Sequence, residues 1–429
     1  MKQKEQIFTG IDLGNSTIKV GIGRVLPDDT LELLSVAEQP SLKMRRGVPV
    51  SPEIVGEQLT LAVEEALRNG GFRKIPGCMG IILSGQYIHV NLESCRRELD
   101  PNLAIDQELF ESEMRRDAQV IKQGHGGEAC LLNILHRCVR LDEGRVVFNP
   151  IGLYSSSMET ESFYFTANKR DMSAVLNTYG EAIPGCEISN FFYAPVATAA
   201  AVCEPSNYGE TLDLVIDLGA GMTSVIMPTP VGYFFCEQLP VGCDHIANDL
   251  SIGLDISIHT AQNILRNLDI HHFTAIATHD GNARIVDIQQ EGTDDSETRH
   301  RKCSADAIET ILEARLREIF ELIRQRMEEQ GAYQLLGNDI LLSGGGATIP
   351  RITELAANVF KQRRCLRANA YQVAPLSGFG MHPRFHALLG LLRALHRDSL
   401  ISQAIRSHRN LLDALHDSCR NFWHAIFDW

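Results

Sequence analysis

The sequence lacks most of the features that would classify it at a glance. It has only two tryptophans, Trp423 and Trp429, and both sit at its C-terminal end. No apolar run reaches the roughly 18–20 residues that a membrane-spanning helix needs, so no transmembrane helix is expected. Its eleven cysteines are scattered singly between Cys78 and Cys419, and none forms a Cys-x-x-Cys pair. That spacing argues against a zinc or disulfide framework and for free, buried thiols in a reducing cytoplasm. The fifteen histidines show no ligand spacing, and the densest stretch, Asp269-Ile270-His271-His272, reads as loop. Positive charge is in the minority, 40 Lys and Arg against 54 Asp and Glu, for a net charge of -14. Nucleic acid is therefore not an expected partner, because non-specific binding needs a basic field. The start, Met1 to Gln6, is polar and runs into a strand without a signal-peptide core, so a cytoplasmic location is expected.

What is present is an ordinary globular composition, 44% apolar and 22% charged, in 429 residues. That length exceeds a single typical core and predicts two lobes. The most informative stretch is Ile11-Asp12-Leu13-Gly14-Asn15-Ser16-Thr17, because the chain repeats it. Ile216-Asp217-Leu218-Gly219-Ala220-Gly221-Met222-Thr223 carries the same Ile-Asp-Leu-Gly core. Apolar residues lead into and out of each copy, which predicts two matching strand-turn-strand hairpins.

An aspartate at a strand end followed by a glycine turn is a poor choice for packing alone. Glycine permits positive φ and close approach of the backbone to a ligand. Asn15, Ser16, Thr17 and Thr223 add donors, and successive backbone N–H groups can form a nest for phosphate oxygens. Asp12 and Asp217 make sense as ligands of Mg²⁺ through water, since Mg²⁺ keeps several waters and uses few carboxylates. Plain Asp-Gly hairpin turns are the bland alternative; a matched pair makes that reading less apt. A third element, Ser343-Gly344-Gly345-Gly346-Ala347, follows a buried strand and lets backbone approach a flat ring or a phosphate.

Between the hairpins, strands alternate with helices as in an α/β lobe. A helix starts at Ser51-Pro52, with Ser51 as cap and Pro52 in the first turn. From about Gln86 to Thr160 the texture changes to polar strands around a charged helix, as in an inserted subdomain. Phe163 to Ala167 reads as a return to the first lobe. The stretch from Thr278 to Lys302 reads as an exposed loop with one strand, Ala283 to Ile288.

These motifs, in this order, resemble the actin-like ATPase superfamily, which includes actin, heat-shock chaperone ATPases, sugar kinases and the bacterial MreB, ParM and FtsA proteins. Its first phosphate loop matches Asp12, Leu13, Gly14, Asn15 and Ser16, and its second matches Asp217 to Thr223. Its adenosine loop matches Gly344, Gly345 and Gly346, and its linker helix matches Ala194-Pro195-Val196-Ala197-Thr198-Ala199. Within the superfamily the chain is most similar to the FtsA family. The similarity rests on Leu83-Ser84-Gly85-Gln86-Tyr87-Ile88, on the insert that follows it, on Asn149-Pro150-Ile151-Gly152-Leu153, and on Leu239-Pro240-Val241-Gly242 with Ile246 to Leu250.

The resemblance implies a duplicated actin-like (ribonuclease H-like) α/β fold with ATP and Mg²⁺ between the lobes. Residues 1–85 and 161–203 would form the first lobe, 86–160 the insert, and 204–247 and 335–394 the second lobe. Residues 248–334 would be the upper subdomain of that lobe, 395–409 a linker and 410–429 an amphipathic helix. The nucleotide would contact Asp12, Gly14, Asn15, Ser16, Thr17, Asp217, Gly219, Ala220, Gly221, Met222, Thr223, Gly344, Gly345, Gly346 and Ala347. On the base side, Gln262 and Arg266 stand where the family usually has an Ala-Glu-x-x-Lys helix. Hydrolysing relatives such as MreB place a glutamate before the linker-helix proline, where this chain has Ala194. Nucleotide binding with weak hydrolysis at most is the expectation. The resemblance also implies self-assembly into filaments, binding of the FtsZ C-terminal tail, contact with other divisome proteins, and a place at the cytoplasmic face of the membrane at the division site. A PilM-like assembly role in pili or secretion, and a sugar-kinase-type activity, are the alternatives.

The last twenty residues are amphipathic. Leu411, Leu415, Phe422, Ile426 and Trp429 recur at helical spacing, and Trp423 and Phe427 widen that face. Such a stripe suits either a bilayer interface or a packed helix. The FtsA resemblance favours membrane lipid. Arg406, Arg409 and Arg420 only balance Asp413, Asp417 and Asp428, so apolar burial would supply most of the binding.

Overall fold

The structure is a computed structural model and describes residues 6–124, 129–186, 188, 190–203, 212–229, 232–266, 276–277, 284–291, 298–374, 376 and 382–407. The amphipathic stretch 410–429, with its expected membrane residues, and His271-His272 lie outside the described residues.

The first lobe opens with β1 (Ile7–Leu13), β2 (Thr17–Val25), β3 (Leu31–Pro40), the short pair β4 (Met44–Arg45) and β5 (Val48–Pro49), α1 (Pro52–Gly70) and β6 (Cys78–Leu83). The insert contains β7 (Ile88–Glu98), α2 (Gln107–Gly124), β8 (Ala129–Leu141), β9 (Arg145–Val147) and β10 (Ser157–Asn168). The lobe then resumes with α3 (Lys169–Ala182), β11 (Asn190–Tyr193) and α4 (Ala194–Val202). The second lobe is β12 (Leu212–Leu218), β13 (Thr223–Pro228), β14 (Tyr233–Leu239), α5 (Cys243–Leu254), α6 (Ile258–Arg266), β15 (Ile276–Ala277), β16 (Arg284–Glu291), β17 (Thr298–Ser304), α7 (Ala305–Glu329), β18 (Leu336–Ser343), α8 (Ile352–Val359) and β19 (Arg364–Arg367). β20 (Val373–Ala374) and α9 (His386–Ser407) complete the described chain.

The duplication extends to strand order. The first sheet runs β11-β6-β1-β2-β3-β20, and the second runs β14-β13-β12-β18-β19. Reversing the second gives β19-β18-β12-β13-β14, which matches β11-β6-β1-β2-β3 strand for strand. In each, an antiparallel hairpin lies beside two parallel strands. The central strands are apolar on both faces, since helices cover both; β1 is buried from Phe8 to Leu13.

Two helices tie the lobes together. α9 follows the second lobe but packs on the first sheet: Leu388, Leu391 and Leu395 fill the space left by Gly10, Gly21 and Gly80. α4 follows the first lobe but packs against β12, β13 and β14. They cross at Gly390, where a Cβ would stand 1.7 Å from the Ala197 carbonyl oxygen. Each lobe therefore owns a helix buried in the other, and one core cluster spans both.

Several boundaries differ from the sequence reading. β10, which contains Phe163 to Ala167, pairs with β7 and β8, so the insert's sheet runs to Asn168 rather than ending at 160. An apolar strand reads the same in either sheet; its pairing decides. The expected loop at 278–302 contributes β16 and β17, paired from Ile285↔Ser304 to Glu291↔Thr298. The expected linker at 395–409 is helical through Ser407, as the C-terminal part of α9. Ser51 does not cap α1 through its side chain; its hydroxyl bonds Glu53 at 3.1 Å. The described cysteines are free, and Cys186 is exposed rather than buried.

Candidate functional site

The two hairpin turns have the same geometry. Gly14 N–H donates to Thr17 O at 3.1 Å, and Gly219 N–H donates to Met222 O at 3.0 Å. Neither glycine has positive φ. Glycine is required for space instead: a Cβ would lie 2.7 Å from Thr17 O at Gly14, and 2.8 Å from Met222 O at Gly219. The turns also meet. Asn15 Nδ2 would stand 1.6 Å from a Cβ on Gly221, and Asn15 Oδ1 accepts from Gly47 N–H at 2.9 Å. Between the turns lies a cleft of about 530 Å³, well within the range of small-molecule sites.

Its floor carries both aspartates. Asp12 lies opposite Lys19 in the β1–β2 register, and their side chains form a buried ion pair at 2.9 Å. Asp217 occupies the matching place opposite Ser224 and accepts a hydrogen bond from Thr198 of α4 at 2.6 Å. Loss of solvent pushes the Asp217 carboxyl up to about 6; the Thr198 hydrogen bond opposes this and the charge of Asp12 adds to it.

These carboxylates differ in their fitness for a metal. Among the described residues Asp217 has no cationic partner in contact, and desolvation disfavours its charge, so a divalent ion held through water would relieve it. Asp12 already has Lys19, and an ion there would share it. Among the described residues no group of three or more His, Cys, Asp and Glu is placed to hold a metal. A hydrated ion completed by phosphate oxygens is the arrangement this donor set suits.

The expected residues separate into two groups. Asp12, Gly14, Asn15, Ser16, Thr17, Asp217, Gly219, Ala220, Gly221, Met222, Arg266, Gly344, Gly345 and Gly346 all line the cleft. Thr223, Ala347 and Gln262 do not. Thr223 is fully buried, and its hydroxyl donates to Val241 O at 2.7 Å, pinning the turn that follows β14. Ala347 is also fully buried, in the 3₁₀ turn after Gly344. Gln262 hydrogen-bonds Asp244 instead. Gly344 does need its left-handed φ of 79°, and a Cβ there would lie 2.3 Å from Asp217 Oδ1.

Lys19, Ser84, Ser224, Leu265, Ile349 and Arg384 also line the cleft and were not anticipated. Arg384 pairs with Glu38 at 3.0 Å. Arg266 reaches from α6 toward Ser16, Nη2 to Oγ at 3.4 Å. Leu265 and Ile349 offer the apolar surface that a flat base requires.

Comparison with known proteins matches this architecture. The family model described as "Cell division protein FtsA" matches residues 214–390, from β12 through the start of α9. The cell division protein FtsA of Bacillus subtilis (strain 168) is 25% identical over 405 residues, covering 92% of this chain and 85% of that protein. That of Borreliella burgdorferi is 23% identical, covering 91% of each. The chain is similar to FtsA proteins over most of its length. Among solved structures, the chain matches the PilM-PilN type IV pilus biogenesis complex with a TM-score of 0.60 at 16% identity, covering 91% of this chain and 98% of that one. It also matches MreB 5 of Spiroplasma citri, crystallised with AMPPNP, with a TM-score of 0.50 at 13% identity, covering 94% of this chain and 99% of that one. The fold is thus the actin-like one.

Proposed function

We propose that this chain is an actin-like cell-division protein that holds ATP, with Mg²⁺, between its twin hairpin turns. The observation that carries the reading is the meeting of the two turns, Asn15 against Gly221, over one cleft. Backbone N–H groups near Gly14 and Gly219 would receive phosphates, with Lys19 supplying charge from the floor. Gly344 to Gly346, Leu265 and Ile349 would flank the base, and Arg266 and Arg384 would lie toward the ribose. A bound Mg²⁺ would neutralise phosphate charge, with Asp217 as its main protein anchor and Asp12 as the secondary one. Ala194 at the start of α4 offers no group to orient an attacking water, so the cleft suits holding nucleotide better than rapid turnover.

The FtsA similarity supports the wider role: self-assembly, contact with FtsZ through its C-terminal tail, recruitment of other divisome proteins, and residues 410–429 as the lipid anchor. No described helix is long and apolar enough to cross a membrane. A PilM-like role rests on shared fold alone. Co-sedimentation tests the tether. The full chain should carry FtsZ onto liposomes, whereas a chain ending at 409 should leave it in solution. Equal pelleting by both would reject the tether.

A further inference from the structure

One side chain behind the cleft lining bonds to both lobes. Gln238 lies on β14 of the second lobe. Its Oε1 accepts from the Gly85 N–H of the first lobe at 2.8 Å. Its Nε2 donates to Ser84 Oγ at 2.8 Å and to Ser224 Oγ at 2.9 Å. Both serines line the cleft. Ser84 follows β6, whose last residue Leu83 is paired with Tyr193 just before Ala194, and Ser224 lies opposite Asp217.

The orientation of this amide is determined by its partners. Reversing it would set the NH₂ group against the Gly85 N–H, donor to donor. With the carbonyl on Gly85, both amide protons are directed at serine oxygens. Each hydroxyl then acts as an acceptor toward Gln238 and keeps its own proton for another acceptor. We propose that Gln238 is a positioning residue that turns Ser84 and Ser224 into a pair of hydroxyl donors, one from each lobe, for the terminal phosphate of a nucleoside triphosphate. The ligand would bond to both lobes at once, so occupancy would report on lobe closure. A diphosphate, one phosphate shorter, would not reach both hydroxyls. The inference rests on the nucleotide-binding reading above and adds discrimination between tri- and diphosphate.

The test is equilibrium titration of the full-length chain with ATP and with ADP, in Mg²⁺. The variants are Ser84→Ala, Ser224→Ala, Gln238→Met and Gln238→Glu. Glu keeps the acceptor for Gly85 but makes both serines donate to it, withdrawing their protons from the cleft. Hydrogen bonds to a charged group contribute enough that losing one should weaken ATP about tenfold. ADP affinity should stay within about threefold of native. Ser84→Ala combined with Gln238→Met should be less than additive, since the two act as one unit. Thermal melting checks that each variant is folded. Faster hydrogen exchange at Gly85 N–H in Gln238→Met, but not in Gln238→Glu, is expected independently. The proposal is overturned if folded variants weaken ATP and ADP equally, or neither. If the native chain binds neither nucleotide, the nucleotide reading fails and this inference falls with it.

Discussion

Asn15 of the first hairpin lies directly against Gly221 of the second, so closely that a methyl group at Gly221 would stand 1.6 Å from Asn15 Nδ2. Gly221→Ala must therefore move Asn15 or separate the turns. Overpacking of this kind costs about 1–3 kcal/mol. The expected outcome is a lowered denaturant midpoint together with weaker nucleotide binding. Asn15→Gly in the same chain should restore part of both, and unfolding curves with a binding titration measure them.

Gly390 is the second place where close approach decides. Its Cβ would meet the Ala197 carbonyl at 1.7 Å, backbone against backbone. Neither helix can yield cheaply, because α9 is buried on the first sheet through Leu388 and Leu391. Gly390→Ala is expected to destabilise the whole chain by about 3 kcal/mol. Gly71, where a Cβ meets nothing within 4 Å, has a left-handed φ of 70°. Gly71→Ala should cost only backbone strain, about 1 kcal/mol.

Asp217 makes stability depend on pH in an unusual direction. Folded, it holds its proton up to about pH 6, whereas an unfolded aspartate releases it near about 4. Between those values the native state binds more protons, so this group makes stability fall as pH rises through that window and then level off. The difference between native and Asp217→Asn unfolding curves, taken from pH 4 to about 7, isolates it. Thr198→Val removes an interaction that favours the charged form, so it should move the upper edge to higher pH.

His136 acts in the opposite sense. Both its ring nitrogens are buried without a hydrogen-bond partner among the described residues, and the ring meets Phe110 edge-on at 5.4 Å. Burial lowers its pKa to about 4, against the pull of Asp117 and Glu161. An unfolded histidine takes up a proton below about 6.5, so this group's contribution falls as pH drops from there toward 4. His136→Leu should remove that acid sensitivity and raise stability near neutral pH by about 1 kcal/mol, because the unpaired nitrogens disappear. Unfolding at pH 5 and about 7.5 compares the two chains.

The insert is stapled to the second lobe by Arg137. Its Nε donates to Phe234 O at 2.9 Å and its Nη2 to Gln330 O at 3.2 Å, while Glu161 pairs with Nη1. Arg137→Met leaves Glu161 with Arg140 on its other oxygen and only the weak Cys138 thiol donor on the first. Breaking a buried pair from one side is expected to cost about 3–5 kcal/mol, read as a lowered unfolding midpoint.

The hairpins were legible because Asp-Leu-Gly occurs twice with the same apolar flanks. Lys19 was not, because a lysine in a strand reads as solvent-facing until the register sets it opposite Asp12. β17, Thr298–Ser304, is nearly all polar and becomes a strand only through pairing with β16. Thr223 and Ala347 carry the expected residue types, yet their neighbours turn them into the core. Local chemistry can name a phosphate turn. Which side chains face the cleft depends on pairing between segments far apart in the chain.

Equilibrium titration of Mg²⁺-ATP into the full-length chain, alongside Gly14→Ala and Gly219→Ala, addresses the twin-turn clamp most directly. The two glycines do the same steric work in opposite lobes. Saturable binding to the native chain, weakened about tenfold or more and to a similar degree by either substitution in a folded protein, is the predicted result. Binding that neither substitution weakens, or a native chain that does not bind Mg²⁺-ATP at all, would contradict it.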